Sequence, residues 1–473
     1  MTKPRLNPLE NPITRRTLLR YGGSAGAAVA GLSGAGGLLR AASAFAKPVR
    51  APDSLPNPKL PAGTVNAALD FDHIVVVMME NHSFDNLLGA LAHSGQPKAK
   101  GLRLDRHGFP RNTNPGPDGP VRSFEIQTTA QAPSVTQTWN ATHQQIDGGR
   151  MDGFVESVGN DEPMGYWTES VLPFSYSFAR TFTLANRWFC STPCQTYPNR
   201  RFLMAGTAYG DIATNTESLS DAPPPNGTIF DRLNAHDISW RNYFTDLPQT
   251  AIIPSIIEKY PANLASIAQF HLDCVLGTLP SVSFVDPEFG VLSDIGEPLS
   301  QIPGIEAITG KLDTTGGDEE SPQDMSYGEY WAYQVVESVL RSPAWPRTLL
   351  IYTYDEHGGY YDHVAPPAAI APDAIPPNRA EGDAPGGYDL YGPRVPAIVA
   401  SPFSKPNAVT NRIYDHTSAL ATIEAKWNLP ALSFRDANAR TVEDFLDFGH
   451  AAFMEPPETI VEPPRPTGTL TEP

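Results

Sequence analysis

The chain has 473 residues, of which 40% are hydrophobic and 10% aromatic. It can therefore bury a large core, which excludes a disordered or fibrous protein. Its formal net charge of -18 argues against binding to nucleic acid and against an electrostatic anchor on anionic lipid, because both of those surfaces are negative. An anionic substrate would need a local cation to receive it.

The first 46 residues are typical of a targeting segment that is removed. Residues 14–20, TRRTLLR, resemble a twin-arginine export motif, a weakly hydrophobic Gly- and Ala-rich stretch follows, and Ala44-Phe45-Ala46 is typical of a cleavage site. The frequent glycines leave too little apolar surface for a permanent membrane anchor. We therefore predict a twin-arginine-type signal peptide over residues 1–46, export by the twin-arginine machinery, and a periplasmic or secreted location.

A Pro- and Ala-rich linker is predicted over residues 47–70, and it leads into the first strand. Ile74 to Met79 is an unbroken apolar run rich in β-branched residues, which predicts a strand covered on both faces, as in a parallel sheet. The run ends on Glu80 and Asn81. A parallel sheet presents such residues at the edge where ligands bind. Ser83 is predicted to cap the next helix.

A second run repeats this pattern. The apolar residues Thr348 to Tyr354 end on Asp355 and Glu356, and Gly358-Gly359 allow a sharp turn there. Alternating helix and strand patterns predict an α/β fold with a central, mostly parallel sheet and helices on both faces. Further predicted elements are a helix over Tyr330–Leu340, a buried strand over Val395–Ala400, a helix over Thr417–Trp427, and a loop from Asp286 to about Tyr327.

Both predicted strands end on hard oxygen ligands. If they are neighbours in a parallel sheet, Glu80, Asn81, Asp355 and Glu356 form an oxygen-rich site for one divalent metal ion, with Ca²⁺, Mg²⁺ or Mn²⁺ favoured. The alternative is that these side chains cap helices at the sheet edge. Such an ion would be the local cation that the acidic chain needs.

Four motifs together resemble a known family. They are Glu80 to Asp85 (ENHSFD), Thr196 to Arg200 (TYPNR), Asp355 to His363 (DEHGGYYDH) and Arg394 to Pro402 (RVPAIVASP). In this order they are similar to the motifs of the bacterial and plant phosphoesterase family that includes non-specific phospholipases C and related acid phosphatases. The resemblance implies an alkaline phosphatase-like fold with one catalytic domain over residues 71–450, followed by a Pro-rich tail over residues 451–473.

The resemblance also implies roles for individual residues. Glu80, Asn81, Asp355 and Glu356 become metal ligands, and Thr196 becomes a metal-bound nucleophile that takes the phosphoryl group as a covalent ester. A threonine hydroxyl is a poor nucleophile at neutral pH, and coordination to a divalent cation lowers its pKa. Without the motif, Thr196 would be a turn or capping residue.

Further roles are predicted for five basic residues. His143 matches a histidine that the family places at the phosphate pocket, where it would act as a catalytic donor or acid, although a lone histidine can be purely structural. His357 and His416 are candidates for orienting the metal-binding carboxylates. His82 lies at a position that the family varies, which predicts a surface residue. Arg200 could brace Asp85 or another acid, or contact phosphate.

Two features leave details open. Family members often carry an acidic-His-Pro sequence where this chain reads Glu320-Ser321-Pro322, so a phosphate-pocket histidine is missing and the substrate preference is unsettled. Cys190, Cys194 and Cys274 allow at most one intrachain disulfide, and their spacing is no strong metal pattern.

The resulting prediction is an exported, metal-dependent phosphoric ester hydrolase, phospholipase C-like, that cleaves the glycerol-side ester of a phospholipid. One alternative is an acid phosphatase that acts on soluble phosphomonoesters with the same residues. Another, from a different class, is a periplasmic protein that binds phosphorylated ligands without turnover. No nucleic-acid partner is expected, and contact with a membrane surface would be transient at most.

Overall fold

A computed structural model describes residues 50–131, 133, 135–220, 222–290 and 317–466. The predicted signal peptide over residues 1–46 lies outside the described residues. Residues 291–316 of the loop predicted from Asp286 to about Tyr327 also lie outside them. The described residues belong to one compact unit.

The core of that unit is a sheet of eight strands, in the order β12-β6-β11-β10-β1-β9-β7-β8 among the described residues. Only β11 runs against the others, because it pairs antiparallel with both β10 and β6. Two further sheets of two strands each join β2 to β3 and β4 to β5. The strands are β1 His73–Met79, β2 Thr113–Asn114, β3 Val121–Arg122, β4 Phe124–Glu125, β5 Gly165–Tyr166, β6 Thr183–Ala185, β7 Trp240–Phe244, β8 Leu264–Ser266, β9 Val282–Asp286, β10 Thr348–Tyr354, β11 Ala397–Ala400 and β12 Ala408–Thr410.

The helices that connect and cover these strands differ widely in length. The α-helices are α1 Phe84–Leu88, α2 Trp139–Ile146, α3 Phe154–Val158, α4 Pro173–Thr181, α5 Thr196–Ala205, α6 Ile229–Ala235, α7 Pro254–Lys259, α8 Ile267–Leu276, α9 Met325–Leu340, α10 Thr417–Trp427 and α11 Phe434–Asn438. Short 3-10 helices span Leu91–His93, Asp147–Gly149, Glu162–Met164, Glu217–Ser220, Gln249–Ile252, Pro261–Asn263, Trp345–Arg347 and Val442–Phe445.

Strand β1 lies at the centre of the sheet. It pairs in parallel with β10 from His73 opposite Thr348 to Met79 opposite Tyr354, and in parallel with β9 on its other side. The side chains from Ile74 to Met79 are buried on both faces of the strand, as an unbroken apolar run predicts. The predicted α/β class with a mostly parallel sheet is confirmed.

The predicted element boundaries hold with small differences. Helix α10 spans the predicted residues, and the N-cap of α1 is Ser83, whose hydroxyl accepts a hydrogen bond from the backbone N–H of Asn86. Helix α9 starts five residues before the predicted Tyr330, because Asp324 caps it by accepting from Ser326. The predicted strand from Val395 is shorter, and it starts at Ala397 after Pro396, which lacks a backbone N–H.

The two segments that flank the predicted catalytic domain both make contacts with it. In the predicted linker, the backbone N–H groups of Asp53 and Asn66 donate to the carbonyls of Ala431 and Lys426. In the tail, Phe453 packs against Phe182. Both segments therefore pack on the surface of the domain at these contacts.

The cysteines and the helices settle two smaller questions for the described part of the chain. Cys190, Cys194 and Cys274 are free thiols and buried, so no disulfide joins them. Burial raises the pKa of the Cys190 and Cys194 thiols well above the usual range, which favours the uncharged thiol over the reactive thiolate. Among the described helices, none combines the length and the apolar character needed to cross a bilayer.

Candidate active site

The ends of β1 and β10 bring the four predicted oxygen ligands side by side. Asn81 donates its backbone N–H to Oδ1 of Asp355 over 3.2 Å, and the N–H of Glu356 donates to the same oxygen over 2.7 Å. Glu80, Asn81, Asp355 and Glu356 are all buried. Strands β1 and β10 are neighbours, which was the condition for a shared site, and both end in one polar centre.

A tight turn after β10 locks this centre. The backbone N–H of Gly358 donates to Oε2 of Glu356 over 2.8 Å. Gly358 has a φ of +64°, and a Cβ on it would lie 1.9 Å from the carbonyl oxygen of Asn81. Only glycine fits there, because any side chain would push the two strand ends apart.

Helix α5 places Thr196 and Arg200 on one face, since residues four apart on a helix are neighbours. Arg200 is buried, its Nε donates to Oδ2 of Asp355 over 3.2 Å, and its guanidinium lies 3.5 Å from Oε1 of Glu80. Arg200 therefore braces acids of the centre, and Asp85 is paired elsewhere. Thr196 is the first residue of α5, one turn before Arg200, and its buried Oγ1 has no hydrogen-bond partner among the described residues.

A loop that the sequence analysis did not assign to the site adds two carboxylates. One oxygen each from Glu80, Asp318 and Glu320 lies within 4.8 Å of the other two, and all three residues are buried. The backbone N–H of Glu80 donates to the carbonyl of Asp318 over 3.0 Å, which ties this loop to the end of β1. The run of adjacent acids from Asp318 to Glu320 was the available signal.

The electrostatics of this centre are unfavourable for unprotonated carboxylates. Burial raises the pKa of Glu80 well above its usual range, and the nearby charges of Glu320, Asp318 and Asp355 raise it further. Burial likewise raises the pKa of Asp318 and of Asp355, although Arg200 opposes it in both cases. One guanidinium thus serves three carboxyl groups, and the excess negative charge must be held by protons or by a bound cation.

The donor set fits a divalent cation. Both carboxylate oxygens of Glu80, both side-chain atoms of the Asn81 amide, Oγ1 of Thr196 and Oδ2 of Asp318 are buried without a hydrogen-bond partner in the described part of the chain. Buried polar atoms are rarely left in this way unless an ion or water satisfies them. Carboxylate, amide and hydroxyl oxygens are the ligands that Ca²⁺, Mg²⁺ and Mn²⁺ prefer.

The two second-tier histidines are buried beside the centre. His416 precedes α10, and its Nε2 donates to the backbone carbonyl of Asp355 over 2.6 Å, so it positions the strand end rather than the carboxylate. His357 bonds through Nε2 to Oε1 of Gln145 over 2.7 Å, which leaves Nδ1 3.1 Å from Oε2 of Glu356 without hydrogen-bond geometry. Burial lowers the pKa of His357 to about 3, so this ring is neutral.

A polar cavity of about 310 Å³ opens onto the centre. Asn81 and Gly358 line it from the strand ends, and Gln195 lines it from the residue before Thr196. The remaining lining residues are Pro133, Val135, Thr136, Gln137, Thr138, Glu320 and Ser321. Ser321, which replaces the expected histidine, therefore does face the same cavity.

The structure does not bring His143 to this cavity. Its Nδ1 donates to the carbonyl of Trp139 over 2.7 Å within α2, and its Nε2 faces Gly386. Thr136, Gln137 and Thr138, just before α2, are the polar residues of this segment that line the cavity. The catalytic role of His143 stays a prediction without a contact that supports it.

The prediction that His82 is a surface residue is wrong. His82 is buried, stacks on Tyr360 with ring centroids 5.2 Å apart, and bonds through Nε2 to the carbonyl of Glu319 over 2.9 Å. Burial lowers its pKa to about 4. Its physical role is to attach the Asp318–Glu320 loop to the segment that follows β1.

Comparisons with known proteins agree over most of the chain. The model of the Phosphoesterase family matches residues 71–430. Non-specific phospholipase C6 of Arabidopsis thaliana is 31% identical over 416 residues, which cover 82% of this chain and 74% of that protein. The non-hemolytic phospholipase C of Pseudomonas aeruginosa is 28% identical, over 76% of this chain and 54% of that protein.

A third relative and one solved structure complete the comparison. Phospholipase C B of Mycobacterium tuberculosis is 26% identical, over 84% of this chain and 81% of that protein. A solved structure of an alkaline phosphatase superfamily protein from Vibrio parahaemolyticus is 10% identical, covers 75% of this chain and 80% of that chain, and superposes with a TM-score of 0.32.

Proposed function

This chain belongs to the phosphoesterase family and is a hydrolase acting on phosphoric ester bonds, and from that premise we propose that it is a phospholipase C-like enzyme with Thr196 as the nucleophile. The proposed bond is the one between the phosphorus and the glycerol oxygen of a phospholipid. The three phospholipase C relatives support this substrate class.

We propose that one divalent cation is held by Glu80, Asn81, Asp355 and Glu356, with the Thr196 hydroxyl among its ligands. When bound, the cation supplies a lower pKa for that hydroxyl and positive charge beside the phosphate oxygens. Arg200 keeps Glu80 and Asp355 in place through its contacts with both. The Asp355 backbone is held in turn by His416.

The first step forms a phosphodiester that joins Thr196 to the head group. Oγ1 of Thr196 attacks phosphorus, and the new Oγ1–P bond replaces the P–O bond to glycerol. Thr196 loses its hydroxyl proton, and the freed glycerol oxygen gains one proton to give diacylglycerol. Thr196 begins α5, so the positive end of that ten-residue helix faces the developing negative charge. The reaction therefore starts from a hydroxyl that the fold holds in one place.

The second step restores the enzyme. Water attacks the phosphorus of this phosphodiester, the Oγ1–P bond breaks, a proton from water returns to Oγ1 of Thr196, and the phosphorylated head group leaves. The polar side chains of Gln137, Thr138 and Ser321 line the cavity and can donate hydrogen bonds to phosphate or head-group oxygens. Their neutral character makes the proposed cation the main positive charge at the substrate.

A single observation carries the assignment of the nucleophile. The Thr196 hydroxyl is buried and has no hydrogen-bond partner within the described residues, one helical turn from the arginine that contacts two of the proposed ligands. A capping or turn threonine would use its hydroxyl on the backbone. Here it is available for another ligand.

We also propose that the protein is exported through the twin-arginine machinery and works in the periplasm or outside the cell. The basis is the twin-arginine motif at residues 14–20 and the cleavage-type site at Ala44-Phe45-Ala46. Immunodetection of the mature protein in periplasmic and cytoplasmic fractions tests it. Replacing Arg15 and Arg16 by Lys should retain the protein in the cytoplasm, and unchanged export would contradict the proposal.

The activity is tested with the purified protein on two substrates: release of diacylglycerol from phosphatidylcholine and release of phosphate from a small aryl phosphomonoester. We expect the first. Hydrolysis of the monoester alone would show an acid phosphatase, and binding of either compound without turnover would show a binding protein.

The nucleophile is tested with Thr196→Ala, which should lower kcat by at least about 10⁴-fold with the fold intact. Thr196→Ser, which keeps a hydroxyl, is the matched control and should retain activity, and rapid acid quenching should yield a serine that carries the phosphorylated head group. Turnover by Thr196→Ala close to that of the wild type would remove Thr196 from the mechanism.

A further inference from the structure

The carboxylates at the active centre lie on both sides of Glu80. Strand β1 lies between β10 and β9 in the sheet, so Asp355 and Glu356 follow the neighbour on one side. Met79 accepts the Asp355 N–H through its carbonyl, and the next N–H, that of Glu80, donates to Asp318. Successive strand residues direct their hydrogen bonds to opposite neighbours, so the Asp318 loop lies on the other side.

The Asp318 loop is built to hold two carboxylates against Glu80. Glu319 between them has a φ of +78°, and its own carboxylate turns away to accept the Tyr354 hydroxyl over 2.5 Å. Its carbonyl accepts from His82 over 2.9 Å and from Gln131 over 2.7 Å. Glu319 is therefore fixed in a left-handed conformation by three contacts, and this places Asp318 and Glu320 on the side of the loop away from Tyr354.

The polar atoms of this group point to a ligand. Oδ1 of Asp318 accepts the backbone N–H of Glu320 over 3.0 Å, and Oδ2 is buried without a partner in the described chain. The Glu80 carboxylate, also buried, receives no hydrogen bond from any described residue. One oxygen each from Glu80, Asp318 and Glu320 lies within 4.8 Å of the other two. Oxygens that bind the same cation at about 2.0–2.6 Å must lie about this close together. Asp355 and Glu356 lie outside this set.

We propose that Glu80 bridges two divalent cations, and that Asp318 and Glu320 hold the second one. This inference rests on the proposed function, which supplies the first cation at Asn81, Asp355 and Glu356. Two-metal phosphoesterases hold their ions about 3.5–4 Å apart, a separation that one carboxylate can bridge with its two oxygens. Neither oxygen of Glu80 receives a hydrogen bond from a described residue, and Oε1 lies 3.5 Å from the Arg200 guanidinium. The second cation places positive charge at the side of the cavity that Glu320 and Ser321 line.

The test is the number of Mn²⁺ ions that the purified protein binds. The protein is stripped with a chelator, titrated with Mn²⁺ by calorimetry, and analysed for bound manganese per chain by mass spectrometry. We expect two equivalents for the wild type and one for Asp318→Asn/Glu320→Gln. Glu319→Gln is the matched control in the same loop, because its side chain faces Tyr354, and it should keep two.

The outcomes separate this inference from the proposed function. One equivalent in the wild type overturns the second cation and leaves the proposed function standing, whereas no bound manganese overturns both. Two equivalents in Asp318→Asn/Glu320→Gln overturn the ligand assignment. If the double variant does not fold, Asp318→Asn and Glu320→Gln are tested as single variants, and each should weaken the affinity for the second ion by about 100-fold or more. The reason is that losing a residue that hydrogen-bonds to a metal ligand already costs about 10–100-fold in affinity, and losing a ligand itself costs more.

Discussion

Two groups of titratable residues in this molecule look alike as clusters of ligand atoms but have opposite chemistry. Asp85, Asp362 and His363 form one, and Glu80, Asp318 and Glu320 form the other; each brings three ligand atoms within 4.8 Å. In the first, Arg394 is bidentate to Asp362 over 2.9 Å and contacts Asp85 over 3.1 Å. In the second, carboxylate oxygens of Glu80 and Asp318 have no hydrogen-bond partner among the described residues.

The difference shows why close acids do not by themselves make a metal site. Despite burial, the His363 ring and Arg394 lower the pKa of Asp85, so that carboxylate is stable as an anion without any ion. At Glu80, burial and three neighbouring carboxylates raise the pKa instead. The first group is a structural brace between motif residues, and the second needs protons or cations.

The largest effect on stability should come from removing Arg394 from the group of Asp85, Asp362 and His363. Arg394→Met leaves Asp362 buried without its guanidinium and leaves Asp85 with His363 as its only charged partner, and should lower the free energy of unfolding by about 3–5 kcal/mol. Arg412→Met, at an exposed ion pair with Asp444, is the control and should cost at most about 1 kcal/mol. Urea unfolding of both variants measures this, and equal costs would mean that the Asp85 group is not a brace.

The next effect concerns metal binding. Mn²⁺ at 100 times its dissociation constant should stabilise the wild type by about 2.7 kcal/mol, which raises its melting temperature. Glu80→Gln should abolish that shift, since Glu80 is a ligand. Asp362→Asn should keep it even if the variant melts lower overall. If the shift disappears in Asp362→Asn and survives in Glu80→Gln, the group of Asp85, Asp362 and His363 binds the metal and the group of Glu80 does not.

Smaller effects should have opposite signs in chelated protein at pH 8. Glu80→Gln removes a carboxyl group for which burial and three neighbouring carboxylates outweigh the ion pair with Arg200, and should raise the free energy of unfolding by about 1–2 kcal/mol. Asp85→Asn removes an acceptor of His363 and Arg394 and should lower it by a similar amount. Urea titrations with a chelator present give both values. The same sign for both variants would erase the contrast between the groups.

The smallest effect is a pH dependence. Burial works to lower the pKa of His363, but Asp85 and Asp362 outweigh burial and Arg394, and the pKa is raised. A raised histidine pKa gives stability that is complete below the unfolded pKa of about 6.5 and is lost as pH rises through the folded value. His363→Gln should therefore cost about 1 kcal/mol more at pH 6 than at pH 9. A cost that grows towards pH 9 would contradict this pairing.

The sequence predicted the parts of the site that local patterns encode. Strands β1 and β10 are apolar runs with a polar end, and parallel pairing brings Glu80 and Asp355 together. The pairing partners of Asp318 and Glu320 could not be predicted, because their loop has no periodicity and its position depends on contacts of His82 and Gln131. His82 was misassigned for the same reason, since its burial comes from Tyr360, distant in the chain.

The most direct test of the contrast between the two acidic groups is a crystal structure of the protein grown with Mn²⁺, with data collected at the manganese absorption edge. Anomalous density should lie at Glu80, with one peak towards Asp355 and Glu356 and a second towards Asp318 and Glu320, and no peak should lie at Asp85, Asp362 and His363. A peak at the Asp85 group, or none at Glu80, would contradict the account.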